Sequence, residues 1–253
     1  MHFFRSGRRA LIGAACLLLS AWSAAGELTV SAAASLTQAF KDIAQRYEQQ
    51  HPSTKVLLNF GASGALLQQM AKGAPVDVFA SADQDTMDQA EQQGLVLRSG
   101  RRDFARNTLV VVVPADRPLA LRTLQDLTQP AVRQIALGNP ASVPVGRYSQ
   151  KALAAARLWP AVQAKAIHTQ NVRQSLDYVA RGEVEAGFVY GTDARVMPDK
   201  VKVAFTVPLQ APIHYPIAPV APSGHADEAR RFVAYVLSPE GQAILARYGF
   251  LKP

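Results

Sequence analysis

Two serines in this chain stand where short turns lead into helical periodicity, and their surroundings suit anion binding better than nucleophilic chemistry. Ser35 lies in Ala33-Ala34-Ser35-Leu36-Thr37-Gln38 and reads as an N-cap, with Gln38 at capping-box spacing. Ser63 lies in Gly61-Ala62-Ser63-Gly64, whose small residues let backbone approach a ligand closely. Val143-Pro144-Val145-Gly146 and Asn171-Val172-Arg173-Gln174 read as two further helix starts. The first turn of a helix carries N–H groups with no intrahelical acceptor and the positive end of the dipole, so it can hold an anion without a charged side chain. Tyr190 adds a hydroxyl at the end of Ala186-Gly187-Phe188-Val189-Tyr190. Taken singly, each serine is an ordinary cap and Tyr190 an ordinary packed strand residue with its hydroxyl in water. Facing one cleft, the group would make a strong site.

Alternating elements must bring these positions together. Short β-branched runs at 28–32, 56–60, 76–80, 109–113, 134–137, 166–169, 186–190 and 201–207 read as strands. Between them, Leu36, Ala39, Phe40, Ile43, Ala44 and Tyr47 recur at helix spacing, as do Leu176, Val179 and Ala180. Strand and helix in alternation predict an α/β protein with mostly parallel sheets, and such sheets bind ligands at the carboxyl ends of their strands. Two connectors favour two lobes over one long sheet. The first is the polar, basic stretch 98–107; the second, 208–222, holds prolines at 208, 212, 216, 219 and 222 and reads as an extended crossover. Ser238-Pro239-Glu240 predicts the start of a closing helix.

Composition removes several other chemistries. With 49% apolar and 18% charged residues the chain is globular, not disordered. Cys16 is the single cysteine, so no intramolecular disulfide and no multi-cysteine metal site can form. It also falls in a segment that reads as a cleaved signal peptide, residues 1–26: Arg5, Arg8 and Arg9, then an apolar stretch, then Ser23-Ala24-Ala25-Gly26. Arg8-Arg9 leaves twin-arginine export open. Loss of that leader lowers the net charge from +8 to +5. Arg98, Arg101, Arg102 and Arg106 cluster without the interleaved aromatics of a nucleic-acid surface and read as a solvated face. Ser63 does not sit in a G-x-S-x-G elbow, and His51, His168, His214 and His225 show no spacing that marks a catalytic base, so a serine hydrolase is a weak alternative. No enzyme, cofactor or metal-ligand set is expected.

Six segments in order resemble the molybdate-binding family of periplasmic solute-binding proteins that serve ATP-driven importers. They are 32–36, 60–64, 74–83, 143–146, 171–173 and 189–194, and the resemblance they carry extends over essentially the whole mature chain. The resemblance implies a two-lobed periplasmic-binding-protein fold (type II), two mostly parallel sheets joined by a two-stranded crossover hinge. The expected lobes are 27–107 with 215–253, and 108–214. It also implies an oxyanion held by Ser35, Ser63, Val145, Val172 and Tyr190, through hydroxyls and backbone N–H groups. Implied partners are molybdate or tungstate, an inner-membrane permease and its ATPase, with the receptor a periplasmic monomer.

Val145 occupies a position often filled by alanine in that family, which bears on pocket dimensions but keeps the N–H donor. A pocket of donors alone would favour fully deprotonated dianions over phosphate, whose remaining O–H would be left unpaired at about 1–3 kcal/mol. A sulfate or thiosulfate receptor is the nearest rival. An amino-acid receptor is more distant and would use Arg147 or Arg173 on a carboxylate; otherwise both arginines are expected to face solvent.

Overall fold

The computed structural model describes residue 2 and residues 26–253. The leader reading for 1–26, with Cys16, therefore falls almost wholly outside the described residues. The first lobe is built from β1 (Gly26–Ala33), α1 (Thr37–Gln50), β2 (Thr54–Gly61), α2 (Ser63–Ala71), β3 (Val78–Ala80), α3 (Gln84–Gln92) and β4 (Arg102–Asn107). The chain then crosses at Thr108 into the second lobe. That lobe holds β5 (Leu109–Pro114), β6 (Ile135–Gly138), α4 (Pro144–Ala155), α5 (Trp159–Gln163), β7 (Ala166–Thr169), α6 (Val172–Ala180), β8 (Ala186–Tyr190), α7 (Gly191–Ala194) and β9 (Val201–Thr206). It returns through 207–212 to β10 (Ile213–Pro219), α8 (Ala226–Leu237) and α9 (Pro239–Arg247).

Both lobes follow one plan. The strand orders are β2-β1-β3-β10-β4 and β7-β6-β8-β5-β9. In each sheet the first three strands pair in parallel, and the fourth, β10 or β5, runs antiparallel to both neighbours. Four of five strands thus share a direction, while half of the pairings are antiparallel. In both sheets the reversed strand is the one the chain enters on arrival from the other lobe. The helical crossovers that the parallel strands need cover both faces of the sheet, so even the reversed central strand β5, Leu-Val-Val-Val-Val-Pro, is apolar and buried throughout. On α1, Ala39, Phe40, Ile43, Ala44 and Tyr47 form the buried stripe. Tyr47 packs edge-on against Phe232 and Tyr235 of α8, at 5.2 and 5.4 Å between ring centroids.

Two elements differ from expectation. The basic stretch read as a connector contains β4, and the proline-rich stretch read as a crossover contains β10, buried between β3 and β4. Pro216 is tolerated because the register shifts between Tyr215 and Pro216, where a missing N–H breaks no ladder. His214 consequently belongs to the first sheet, and the second crossing lies at 207–212, upstream of the expected boundary at 214/215. The arginine cluster is only partly a solvated face. Arg101 pairs with Asp88 at 2.6 Å and Glu91 at 3.2 Å, and Arg106 Nε donates to Lys252 O at 2.6 Å.

Candidate functional site

Ser35, Ser63, Val145, Val172 and Tyr190 all line one cavity between the lobes, together with small residues such as Ala34, Ala62 and Ala82. The cavity is small and tightly lined, and all five residues are at most 4% exposed. Ser35 and Ser63 come from the first lobe, at the carboxyl ends of β1 and β2. Val145, Val172 and Tyr190 come from the second, at the N-termini of α4 and α6 and the end of β8.

Neither serine is the cap that its spacing suggested. The helix after β1 begins with a 3-10 turn, Ala34–Leu36, followed by α1 with Leu36 at the N-cap, and no side chain caps either start. Ser35 Oγ is instead 3.0 Å from the Tyr215 hydroxyl, a partner 180 residues away. At α2 the N-cap is Ala62, and Ser63 is the first helical residue. Its Oγ accepts the backbone N–H of Ala82 at 3.0 Å. With that lone pair occupied by a donor, the Ser63 hydroxyl proton stays uncommitted.

The second lobe contributes main chain. Pro144 opens α4 with the fixed φ a helix start needs, and Val145 follows in the first turn. Gly146 permits this approach: a Cβ there would sit 1.9 Å from Gly138 O. Gly138 likewise makes room for Val145, whose Cγ1 lies 3.0 Å from where a Gly138 Cβ would be. Much of the extra bulk of valine over alanine is thus housed by a glycine. Asn171 caps α6 as expected, accepting Gln174 N–H at 3.1 Å. The Gln174 side chain returns to Gln170 N, one residue earlier than a capping box requires, at 2.7 Å.

Tyr190 differs from the alternative of a hydroxyl in water. Its Oη is buried and has no hydrogen-bond partner in the protein. Burial pushes its pKa well above the ordinary tyrosine value, with smaller contributions from Tyr215, Tyr148, Asp83 and Asp193, so it remains a protonated donor. A buried unsatisfied hydroxyl costs about 1–3 kcal/mol, which an anion accepting from it would offset.

Arg147 and Arg173 do not face solvent. Arg147, on α4, spans the cleft to α3 of the other lobe: Nε donates to Asp83 Oδ2 at 2.7 Å and Nη2 to Thr86 Oγ1 at 2.7 Å. Arg173, on α6, lies 2.7 Å from Asp193 Oδ1 and donates from Nη2 to Ser35 O across the cleft at 3.2 Å. Gly64 N–H donates to Ser142 O at 3.0 Å, a main-chain bond between lobes. Each buried carboxylate near the cavity, Asp83 and Asp193, is therefore matched by an arginine, and the lining itself carries no charged side chain. Sequence spacing gave no sign of these cross-lobe contacts.

Residues 28–251 match the family described as bacterial extracellular solute-binding protein. The chain is 36% identical over 225 residues to a putative ABC transporter substrate-binding lipoprotein, YvgL, of Bacillus subtilis, covering 88% of this chain and 85% of that protein. It is 32% identical over 239 residues to the molybdate-binding protein ModA of Haemophilus influenzae, covering 90% and 91%. The structure superimposes on the periplasmic molybdate-binding protein of Azotobacter vinelandii with a TM-score of 0.77 at 24% identity, covering 89% of this chain and 99% of that one, a likeness of fold. The chain belongs to the bacterial extracellular solute-binding protein family, whose members are binding proteins and not enzymes.

Proposed function

We propose that this solute-binding protein is the exported receptor of an ABC importer and that it captures molybdate, and with it tungstate, between its lobes. The observation that carries this reading is the buried, partnerless hydroxyl of Tyr190 in a cavity it shares with Ser35 and Ser63. Around it, the N–H groups of Val145 and Val172 in the first turns of α4 and α6 have no intrahelical acceptor. Such a set suits a compact, fully deprotonated oxyanion, and its lining supplies no carboxylate to accept a ligand proton. The two bacterial relatives aligned by sequence above, one called an ABC transporter substrate-binding lipoprotein and the other molybdate-binding, support the same choice. The anion passes through as cargo, released to a membrane permease, and one copy of the chain contains all five site residues.

Calorimetric titration of the mature chain with molybdate, tungstate, sulfate and hydrogen phosphate tests the reading. Molybdate and tungstate should bind alike, sulfate more weakly and phosphate least. Ser63→Ala and Tyr190→Phe should each weaken molybdate binding by about 1.5–3 kcal/mol, the range for losing a hydrogen bond to a charged group. Tighter binding of sulfate than of molybdate would reassign the receptor within the oxyanions. Unchanged molybdate affinity in both variants would overturn the site.

A further inference from the structure

The two serine hydroxyls of the cavity have their protons freed by different means, and only one of these is built from side chains. Ser63 Oγ accepts from a backbone N–H, which cannot reverse its role. Ser35 Oγ meets a hydroxyl, Tyr215 Oη, and either oxygen could donate in that contact taken alone.

Asn107 decides the direction. Its Oδ1 accepts the backbone N–H of Thr108 at 2.9 Å, which fixes the amide orientation. Its Nδ2 then faces Thr192 Oγ1 at 2.9 Å and Tyr215 Oη at 3.2 Å, donating to both. Tyr215 Oη thus accepts from Asn107, and Ser35 Oγ is the acceptor left within reach of its own hydrogen. Tyr215 is fully buried, and its ring is held edge-on by Phe250 at 5.4 Å, Tyr190 at 5.8 Å and Phe104 at 6.3 Å, so the hydroxyl has no path to water. Donation from Tyr215 occupies one of the two lone pairs of Ser35 and leaves the serine hydrogen free to point into the cavity.

We propose that Asn107 and Tyr215 are positioning residues that present Ser35 to the cavity as a hydrogen-bond donor, and that through it they disfavour oxyanions that carry a proton. This rests on the oxyanion-receptor reading of the cavity. The relay stands on both crossings of the chain: Asn107 ends β4, Tyr215 lies on β10, and Thr192 belongs to the second lobe. Reversing the amide to a carboxylate reverses the whole relay. An aspartate at 107 still accepts Thr108 N–H and can receive the Thr192 hydroxyl. It also accepts from Tyr215, so Tyr215 accepts from Ser35 and the serine oxygen can take a ligand proton.

The test is the selectivity ratio of molybdate over hydrogen phosphate, measured by calorimetry and by competition in Asn107→Asp at mildly alkaline pH. Both ligands are then dianions, so repulsion from the new carboxylate largely cancels in the ratio, and thermal melts report whether the variant folds. The ratio should fall at least about tenfold, with phosphate gaining relative to molybdate. Tyr215→Phe, which keeps the ring and removes the relay, should lower the ratio by a smaller factor, and serves if the aspartate variant does not fold. A ratio unchanged in a folded variant, with molybdate binding merely weakened, overturns the relay while leaving the receptor reading intact. Failure of the unaltered protein to bind either ion overturns that reading, and the relay with it.

Discussion

The cavity and its rim join the same two lobes with opposite chemistry. Inside, neutral hydroxyls and main-chain N–H groups converge, and the lining carries no charged side chain. At the rim, ion pairs join the lobes, Arg147 to Asp83 and Lys151 to Asp85, the latter at 2.9 Å, beside the main-chain bond from Gly64 N–H to Ser142 O. A fixed cation inside the cavity would hold any anion strongly and discriminate poorly, whereas uncharged donors read proton content and geometry. Charge at the rim holds the lobes together without lining the cavity. Affinity is thus divided between a part that recognises and a part that shuts.

Substitutions at the rim should separate these parts. The largest effect is expected from Gly64→Ala. A Cβ there would lie 2.6 Å from Ser142 O of the opposite lobe, a clash that exists only when the lobes are together. Molybdate binding should fall by about 3 kcal/mol, the scale of overpacking against a rigid neighbour. The melting temperature of the ligand-free variant should change little. A variant that binds normally would show that the lobes close with room to spare.

Arg147→Ala strands the Asp83 carboxylate, which is 2% exposed. The expected loss is about 1.5–3 kcal/mol, expressed as faster dissociation and equal for molybdate and tungstate. Stopped-flow release rates check this, and a change in the preference between the two ions would place Arg147 in recognition after all.

Asp193 tests the cost of charge beside the cavity. Burial raises its pKa to about 6 from the usual 3.8, against the lowering effect of Arg173. The folded state therefore holds that proton more tightly than the unfolded chain. The associated stability is full below 3.8 and is lost as pH rises through about 6. Melting curves across that window should show the decline in the natural protein and its absence in Asp193→Asn. The smallest effect belongs to Lys151→Ala. Both partners of this ion pair are substantially exposed, so less than about 1 kcal/mol should be lost, vanishing at high salt.

Most strands were readable from β-branched runs, and the two that were not are instructive. β4, Arg-Asp-Phe-Ala-Arg-Asn, is an edge strand that turns charge to solvent, so it lacks an apolar run. The proline signal in β10 is disarmed by a register shift that only the paired strand can create. Position was likewise more legible than role at the site. Strand-end and helix-start patterns led to Ser35 and Ser63, yet their hydroxyls meet Tyr215 and the Ala82 N–H and do not cap their helices. Tyr215, Asn107 and the partners of Arg147 carry no local mark, because their contacts join residues from 61 to 180 positions apart.

The near-complete burial of all five cavity residues has a kinetic consequence. No bound ion can be traded for another while the lobes are together, so the receptor exchanges cargo only in discrete opening events. Adding a large excess of unlabelled ligand would then not hasten the escape of a labelled ion; the lifetime of the complex is a property of the protein's own breathing. Capture becomes faster as the ion becomes more abundant, whereas release keeps its own clock until a membrane partner prises the lobes apart.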